Sequence, residues 1–251
     1  MKTVDGRSEK FQCSAGIGKG TMQRVRAFRA FTLLELLVTI VIIAIVAALL
    51  LPALGRAKDR AKGVSCLGNF RQWGHALHFY ATSNEDFLPR EGAPTPTEAE
   101  LKKPGYQAWY IELPAQIHAP RYADMPWRTN PAIVPARSVW ICPANPRRCN
   151  ASSKTNNLFH YCLNENLDGT DKKDRPTRLG TLKHPDATVY LFDSKNLPAV
   201  GGASFIHTNL HQRGAQLLFL DGHALRFKNS DYWDFAKRRA LTNNPNIRWY
   251  P

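Results

Sequence analysis

The chain has 251 residues, with 34 lysines and arginines against 20 aspartates and glutamates and a formal net charge of +14. Its 43% hydrophobic content is ordinary but unevenly placed, and a single long apolar run excludes a polytopic membrane protein. Five cysteines are too few for a disulfide-dense module, and the basic charge reads as a solvated surface rather than a nucleic-acid footprint.

Residues 1–30 are polar and basic, with seven basic residues against two acidic ones and Arg24, Arg26 and Arg29 directly before the apolar run. Met22 offers a second start besides Met1. From residue 31 to residue 51 only Thr32, Glu35 and Thr39 are polar. As a helix this stretch reaches about 32 Å, enough for the roughly 30 Å hydrocarbon core of a bilayer. An ordinary secretory signal peptide has a shorter apolar region and no acid within it. A plain signal anchor also leaves Glu35 unexplained, since an acid in hydrocarbon costs on the order of 2–3 kcal/mol. Four basic residues lie in the fifteen positions on either side of the run, so charge alone does not orient it.

Pro52 and Gly55 then interrupt the pattern, because proline removes a helical hydrogen bond and clashes one turn back. Apolar residues resume at Leu54, Ala57, Ala61, Val64, Leu67, Phe70, Leu77 and Tyr80, with Arg56, Lys58, Arg60 and Lys62 off the stripe. This spacing predicts an amphipathic helix to about Tyr80. Gly63, Gly68 and Gly74 weaken it by about 1 kcal/mol each, so another element must pack against it. Residues 89–146 hold eleven of the 17 prolines, which favours surface loops and short extended pieces over helices. Strands are expected at "SVWIC", "TVYLFD" and the pair "AQLLFLDGHALRF". Asp221-Gly222 suits a two-residue type I′ hairpin turn, with His223 opposite Leu220. The whole is an α+β chain, a long helix followed by a loop-rich antiparallel sheet.

Several residue groups offer chemistry. If the leader with Cys13 is removed, Cys66, Cys142, Cys149 and Cys162 remain, compatible with two disulfides in three pairings, with buried free thiols, or with zinc. The Cys142-x6-Cys149 spacing is wider than a usual zinc knuckle. "NENLDGTDKKDR" places Asn164, Asn166 and Asp168 at alternating positions before Gly169, in the manner of a calcium loop. The closing glutamate position holds Arg175, and a solvated turn is the plainer reading. His211, Asp221 and His223 could converge as metal or acid–base groups, or belong simply to the hairpin. "MPWRTNP" and "NIRWYP" mix aromatic and basic residues, for which loop packing competes with stacking on nucleic acid or sugars. No nucleophile motif, phosphate loop or paired-carboxylate arrangement points to an enzyme.

"FTLLELL" after a basic leader resembles the signal of type IV prepilins and type II secretion pseudopilins. The resemblance implies that prepilin peptidase cuts between Ala30 and Phe31 and methylates the new amino terminus. It also implies that Glu35 is the acid that meets a neighbouring subunit's terminus, and that Pro52 is the proline closing the membrane segment. Ala30 stands where the family usually has glycine. "CLGNFRQWGHALHFYATSNEDFLPR", "VWICP", "RLGTLKHPDATVYLFDS" and "HQRGAQLLFLDGHALRF" extend the likeness to prepilin-like proteins of planctomycete and verrucomicrobial lineages, which carry a C-terminal His-x9-Asp-Gly signature.

The implied organisation is a leader over residues 1–30, a transmembrane and amphipathic helix over 31–82, and an extracytoplasmic pilin-like domain over 83–251. The leader is then cytoplasmic, the chain single-pass in the inner membrane, and the globular part periplasmic or extracellular. The implied partners are the peptidase, other pilin-like subunits, an inner-membrane assembly platform and membrane lipid; no cofactor is required beyond the calcium option. A membrane-anchored binding module for calcium, carbohydrate or DNA, using the signal only as a tether, is the other reading.

Overall fold

The computed structural model describes residues 31–130, 132–133, 135–146, 158–167, 177–195 and 198–251. Ala30, Cys149, Asp168 and most of the sequence-predicted calcium loop lie outside the described residues.

Helix α1, Leu33–Ser83, is 51 residues long and runs on through Pro52 and Gly55, where the sequence pattern suggests an interruption. Leucine, isoleucine and alanine flank the proline, and the cost of one missing N–H is spread over many intact turns. The chain divides into two compact units, one up to Leu49 and one from Leu50 to Pro251. Within the second unit α1 buries Cys66, Phe70, Trp73, Leu77 and Ala81, whose steps of three and four residues define one face, with Gly74 and Ala76 beside them. The expected stripe is therefore only partly right. Phe70 and Leu77 are on it, but Leu54 and Val64 are 65% and 71% exposed.

The proline-rich segment is more helical than expected. It contains α2, Glu98–Lys102, α3, Trp109–Gln116, and α4, Pro126–Thr129. Thr97 caps α2 reciprocally with Glu100, and Pro126 opens α4 where its missing N–H costs nothing. Arg128 is buried, pairs with Glu98 and lies 5.0 Å from the centre of the Tyr122 ring. "SVWIC" is a buried turn, not a strand: the Ile141 N–H donates to the Ser138 carbonyl at 3.1 Å.

The sheet comprises β1, Tyr161–Asn164, β2, Val189–Asp193, β3, Val200–Gly201, β4, Gly214–Phe219, and β5, Ala224–Lys228. Their order is β3-β1-β2-β4-β5. It is a mixed sheet, because β3 joins β1 in parallel while the other pairings are antiparallel. Two short strands, β6, Trp233–Asp234, and β7, Arg239–Ala240, form a separate ribbon. One edge of the main sheet is only two residues long and the other, β5, carries Arg226 and Lys228, so neither offers a long apolar template for further pairing.

Both faces of the central strands are buried. Tyr161, Leu163, Tyr190 and Leu218 face the core that contains α1 and α3, while Cys162, Phe192, Leu217 and Phe219 face a second core with Tyr232, Ile247 and Trp249. Strand alternation explains this division. The C-terminal segment covers the second face: Arg248 bridges Thr188, and Trp249 meets Phe192 edge-on at 5.2 Å. In the first core Trp73 lies 4.6 Å from Trp140 and 5.6 Å from Trp109. Each of these three indoles donates to a carbonyl, Trp73 to Val139, Trp109 to Ala199 and Trp140 to Pro120, so the aromatic core leaves none of their N–H groups unpaired.

A disulfide joins Cys66 of α1 to Cys142, 76 residues away. Cys162 carries a free buried thiol, so the expectation of a disulfide there is corrected. Its strand position points it to the second core, across the sheet from Cys66 and Cys142. Burial pushes this thiol well above its ordinary pKa, which keeps it unreactive while the fold is intact.

The β4–β5 hairpin forms, but its turn differs from the expected type I′. Gly222 has a φ of +88° whereas Asp221 stays at negative φ. Gly222 N–H donates to Phe219 O at 3.0 Å and Phe219 N–H donates to His223 O at 2.9 Å. This is a three-residue loop closed by a glycine bulge, and it sets His223 opposite Phe219, with the rings stacked at 4.4 Å, rather than opposite Leu220. Packing against α1 explains the choice. A Cβ on Gly74 would lie 2.7 Å from the Gly222 carbonyl oxygen, and one on Gly222 would lie 2.9 Å from the His78 ring.

Four outcomes are expected. Gly74→Ala should destabilise the chain by about 1–3 kcal/mol through that backbone collision. Gly68→Ala, with nothing within 4 Å of its Cβ, should stabilise it by about 0.5–1 kcal/mol, both read from urea midpoints in detergent. Alkylation of the oxidised chain after denaturation without reductant should label Cys162 but neither Cys66 nor Cys142. Replacing both bridged cysteines by alanine should lower stability by about 2–4 kcal/mol, since the bridge closes a long loop.

Candidate functional site at the head of the apolar helix

The first turn of α1 explains how Glu35 is held. The Thr32 hydroxyl accepts from the Glu35 N–H at 3.2 Å, and Glu35 Oε2 accepts from both the Thr32 N–H and its hydroxyl at 2.9 Å. This is a reciprocal capping box, the same Thr-x-x-Glu device that Thr97 and Glu100 use at α2. Its signal in the sequence is the Thr-x-x-Glu spacing of residues 32 to 35, which accounts for the acid by local capping as well as by any contact outside the chain. Both Thr32 bonds end on Oε2, and among the described residues Oε1 has no hydrogen-bond partner.

Phe31 and every residue on to Leu51 are exposed, including Leu33 at 81% and Leu49 at 73%. A helix this apolar and uncovered is long enough to cross a membrane. Pro52 follows it inside α1, and its missing N–H leaves the carbonyl of Ala48 without its usual helical donor.

The other sequence-predicted residues are placed as follows. Asn164 is buried and donates to the carbonyls of Val189 and Trp249 at 2.9 and 3.0 Å, tying β1 to β2 and to the C-terminal segment. Its Oδ1 accepts from the backbone and side-chain N–H groups of Asn166. These amides therefore serve one another and the fold, and are not both turned to a common cation. His211, Asp221 and His223 do not converge. His211 precedes β4 and Asp221 follows it, so that the strand separates them by about 20 Å. Asp221 Oδ1 instead accepts from the His223 N–H at 3.0 Å and pairs with its ring Nδ1 at the surface.

His211 goes elsewhere. Its ring is buried, with Nε2 3.2 Å from Asp193 Oδ2 and 3.5 Å from Cys142 Sγ. His211, Gln212 and Arg213 have φ values of 46°, 63° and 61°, a run of left-handed residues that costs about 1 kcal/mol or more each. The Arg226 guanidinium holds the turn by donating to the carbonyls of His211 and Gln212, and Gly214 permits the close approach of Phe227 O. Asp193, Asn69 and Gln216 were not singled out from the sequence. Asp193 ends the apolar run "VYLFD" inside the sheet, a position where a carboxylate needs a partner, and that was its available signal.

Comparison with known proteins adds one finding. Residues 25–51 match the protein-family model described as the prokaryotic N-terminal methylation motif. No curated protein and no solved structure matches the chain. The chain thus carries a prepilin-type signal, which spans the end of the basic segment and the apolar start of α1, and it joins that signal to an α+β body of pilin-like architecture.

Proposed function

We propose that this protein is a pilin-like structural subunit, cut before Phe31 by prepilin peptidase, methylated there, and assembled through α1 into a type II secretion or type IV pilus-like filament. The observation that carries this reading is the methylation-motif match over residues 25–51, ending in an uncovered apolar helix with a single acid. Cleavage creates an ammonium group at Phe31. Glu35 Oε2 serves the helix cap of its own chain, which leaves Oε1 for the ammonium of a neighbour. Such a pair at about 4 Å and an effective dielectric of about 20 has a Coulomb energy of roughly 4 kcal/mol, enough to offset desolvation and fix the axial register. The leader stays cytoplasmic and the body stands outside the inner membrane in this reading.

Mass spectrometry of the mature protein from its native host should find N-methylated phenylalanine, residue 31, as the first residue. A terminus that retains residues 1–30 overturns the reading. Glu35→Ala should reduce filament yield, read by crosslinking and sedimentation, by roughly tenfold or more, as expected for loss of over 1.4 kcal/mol per contact. Thr32→Val removes the cap but keeps the acid, so it should still assemble. If both variants polymerise normally, the signal acts as a tether only.

A further inference from the structure

We propose that Cys66 and Cys142, in their dithiol form, make with His211 a buried three-ligand zinc site beside Asp193, so that the disulfide and a zinc ion are two mutually exclusive ways of closing the same joint. The ligand atoms of Cys66, Cys142 and His211 lie within 4.8 Å of one another, and all three residues are buried. Asp193 adds a carboxylate oxygen 3.2 Å from His211 Nε2. Zn–S bonds of about 2.3 Å and a Zn–N bond of about 2.0–2.1 Å in a tetrahedron give S···N edges of about 3.5 Å. The observed separation of Cys142 Sγ from His211 Nε2 is 3.5 Å. The two sulfurs need only relax from a covalent bond to an edge of about 3.8 Å.

Burial and charge favour the same assignment. Asp193 is fully buried and its Oδ1 has no hydrogen-bond partner among the described residues, while Oδ2 is fixed by the Gln216 N–H at 2.7 Å. The Cys142 N–H is fixed by His160 Nδ1 at 2.9 Å. With a neutral imidazole, the disulfide state holds one formal negative charge, that of Asp193. Two thiolates, Asp193 and a divalent zinc ion hold the same single negative charge. Exchange of one closure for the other therefore adds no net charge to the interior. The strained left-handed turn that delivers His211 to this place is explained by the same role.

The chemistry balances through ordinary exchange. A dithiol reductant attacks the Cys66–Cys142 bond, becomes a disulfide itself and leaves two thiols; zinc binding then releases their two protons. In the reverse direction a disulfide oxidant takes two electrons from the thiolates, the S–S bond re-forms and the ion leaves.

The test uses the full chain in detergent, reduced with a phosphine and titrated with cobalt(II) as the spectroscopic probe, then with zinc(II). The expected result is one tetrahedral, thiolate-bound cobalt per reduced chain, displaced by zinc, and none in the oxidised chain. His211→Gln should weaken cobalt binding by about tenfold or more. Zinc should also shield Cys66 and Cys142 of the folded, reduced wild type from alkylation, a readout that does not depend on any variant folding. Absence of thiolate-to-cobalt absorption, or alkylation unaffected by zinc, overturns the proposal. Cobalt binding unchanged in His211→Gln also overturns it, because the metal then sits on the cysteines without His211.

Discussion

The joint between α1 and residues 138–142 is the constraint on which the rest of the body depends. Cys66 is bonded to Cys142, Asn69 donates to the carbonyls of Ser138 and Ile141 and to the Tyr161 hydroxyl, and Trp73 donates to Val139. Three successive turns of one helix thus hold one buried turn and the start of the sheet. Phe70 against Tyr161 at 4.7 Å fills the space between them. A helix with three glycines in this stretch has weak intrinsic preference, and these contacts are what hold it against the sheet.

The same joint explains sequence motifs that looked chemically opaque. "CLGNFRQWG" supplies Cys66, Asn69, Phe70, Trp73 and Gly74, "VWICP" supplies the segment they grip, and Asp-Gly at residues 221–222 supplies the carbonyl that demands a glycine at position 74. His211 and Asp193 meet beside the disulfide. The two halves of the His-x9-Asp-Gly signature therefore act at opposite ends of β4: one in the core beside the cysteines, the other as the loop seated on α1. They are linked by strand length and not by a shared site.

At the head of α1 the governing physics is different. There nothing in the described residues covers the helix, and the side-chain hydrogen bonds are local ones, between Thr32 and Glu35 and from the Thr39 hydroxyl to the Leu36 carbonyl. Local capping makes the acid tolerable in a single chain without satisfying it fully. That incompleteness leaves one carboxylate oxygen for a positive group outside the chain, as the proposed assembly requires, while the body folds by its own core.

Much of this was legible in the chain. Apolar length, the misplaced Glu35, the period of Phe70 and Leu77, and the β4–β5 hairpin follow from local composition and periodicity, because each depends on residues a few positions apart. The Thr32–Glu35 cap is legible in the same way, from a spacing of three residues. What only the tertiary structure decided were the Cys66–Cys142 pairing, the burial of Cys162 on the other face, the parallel β3, the helices among the prolines and the placement of His211. Each of those depends on which distant segments share a face or a core. No spacing along the chain encodes that, because it is set by how the helix, the sheet and the loops fill one another's volume.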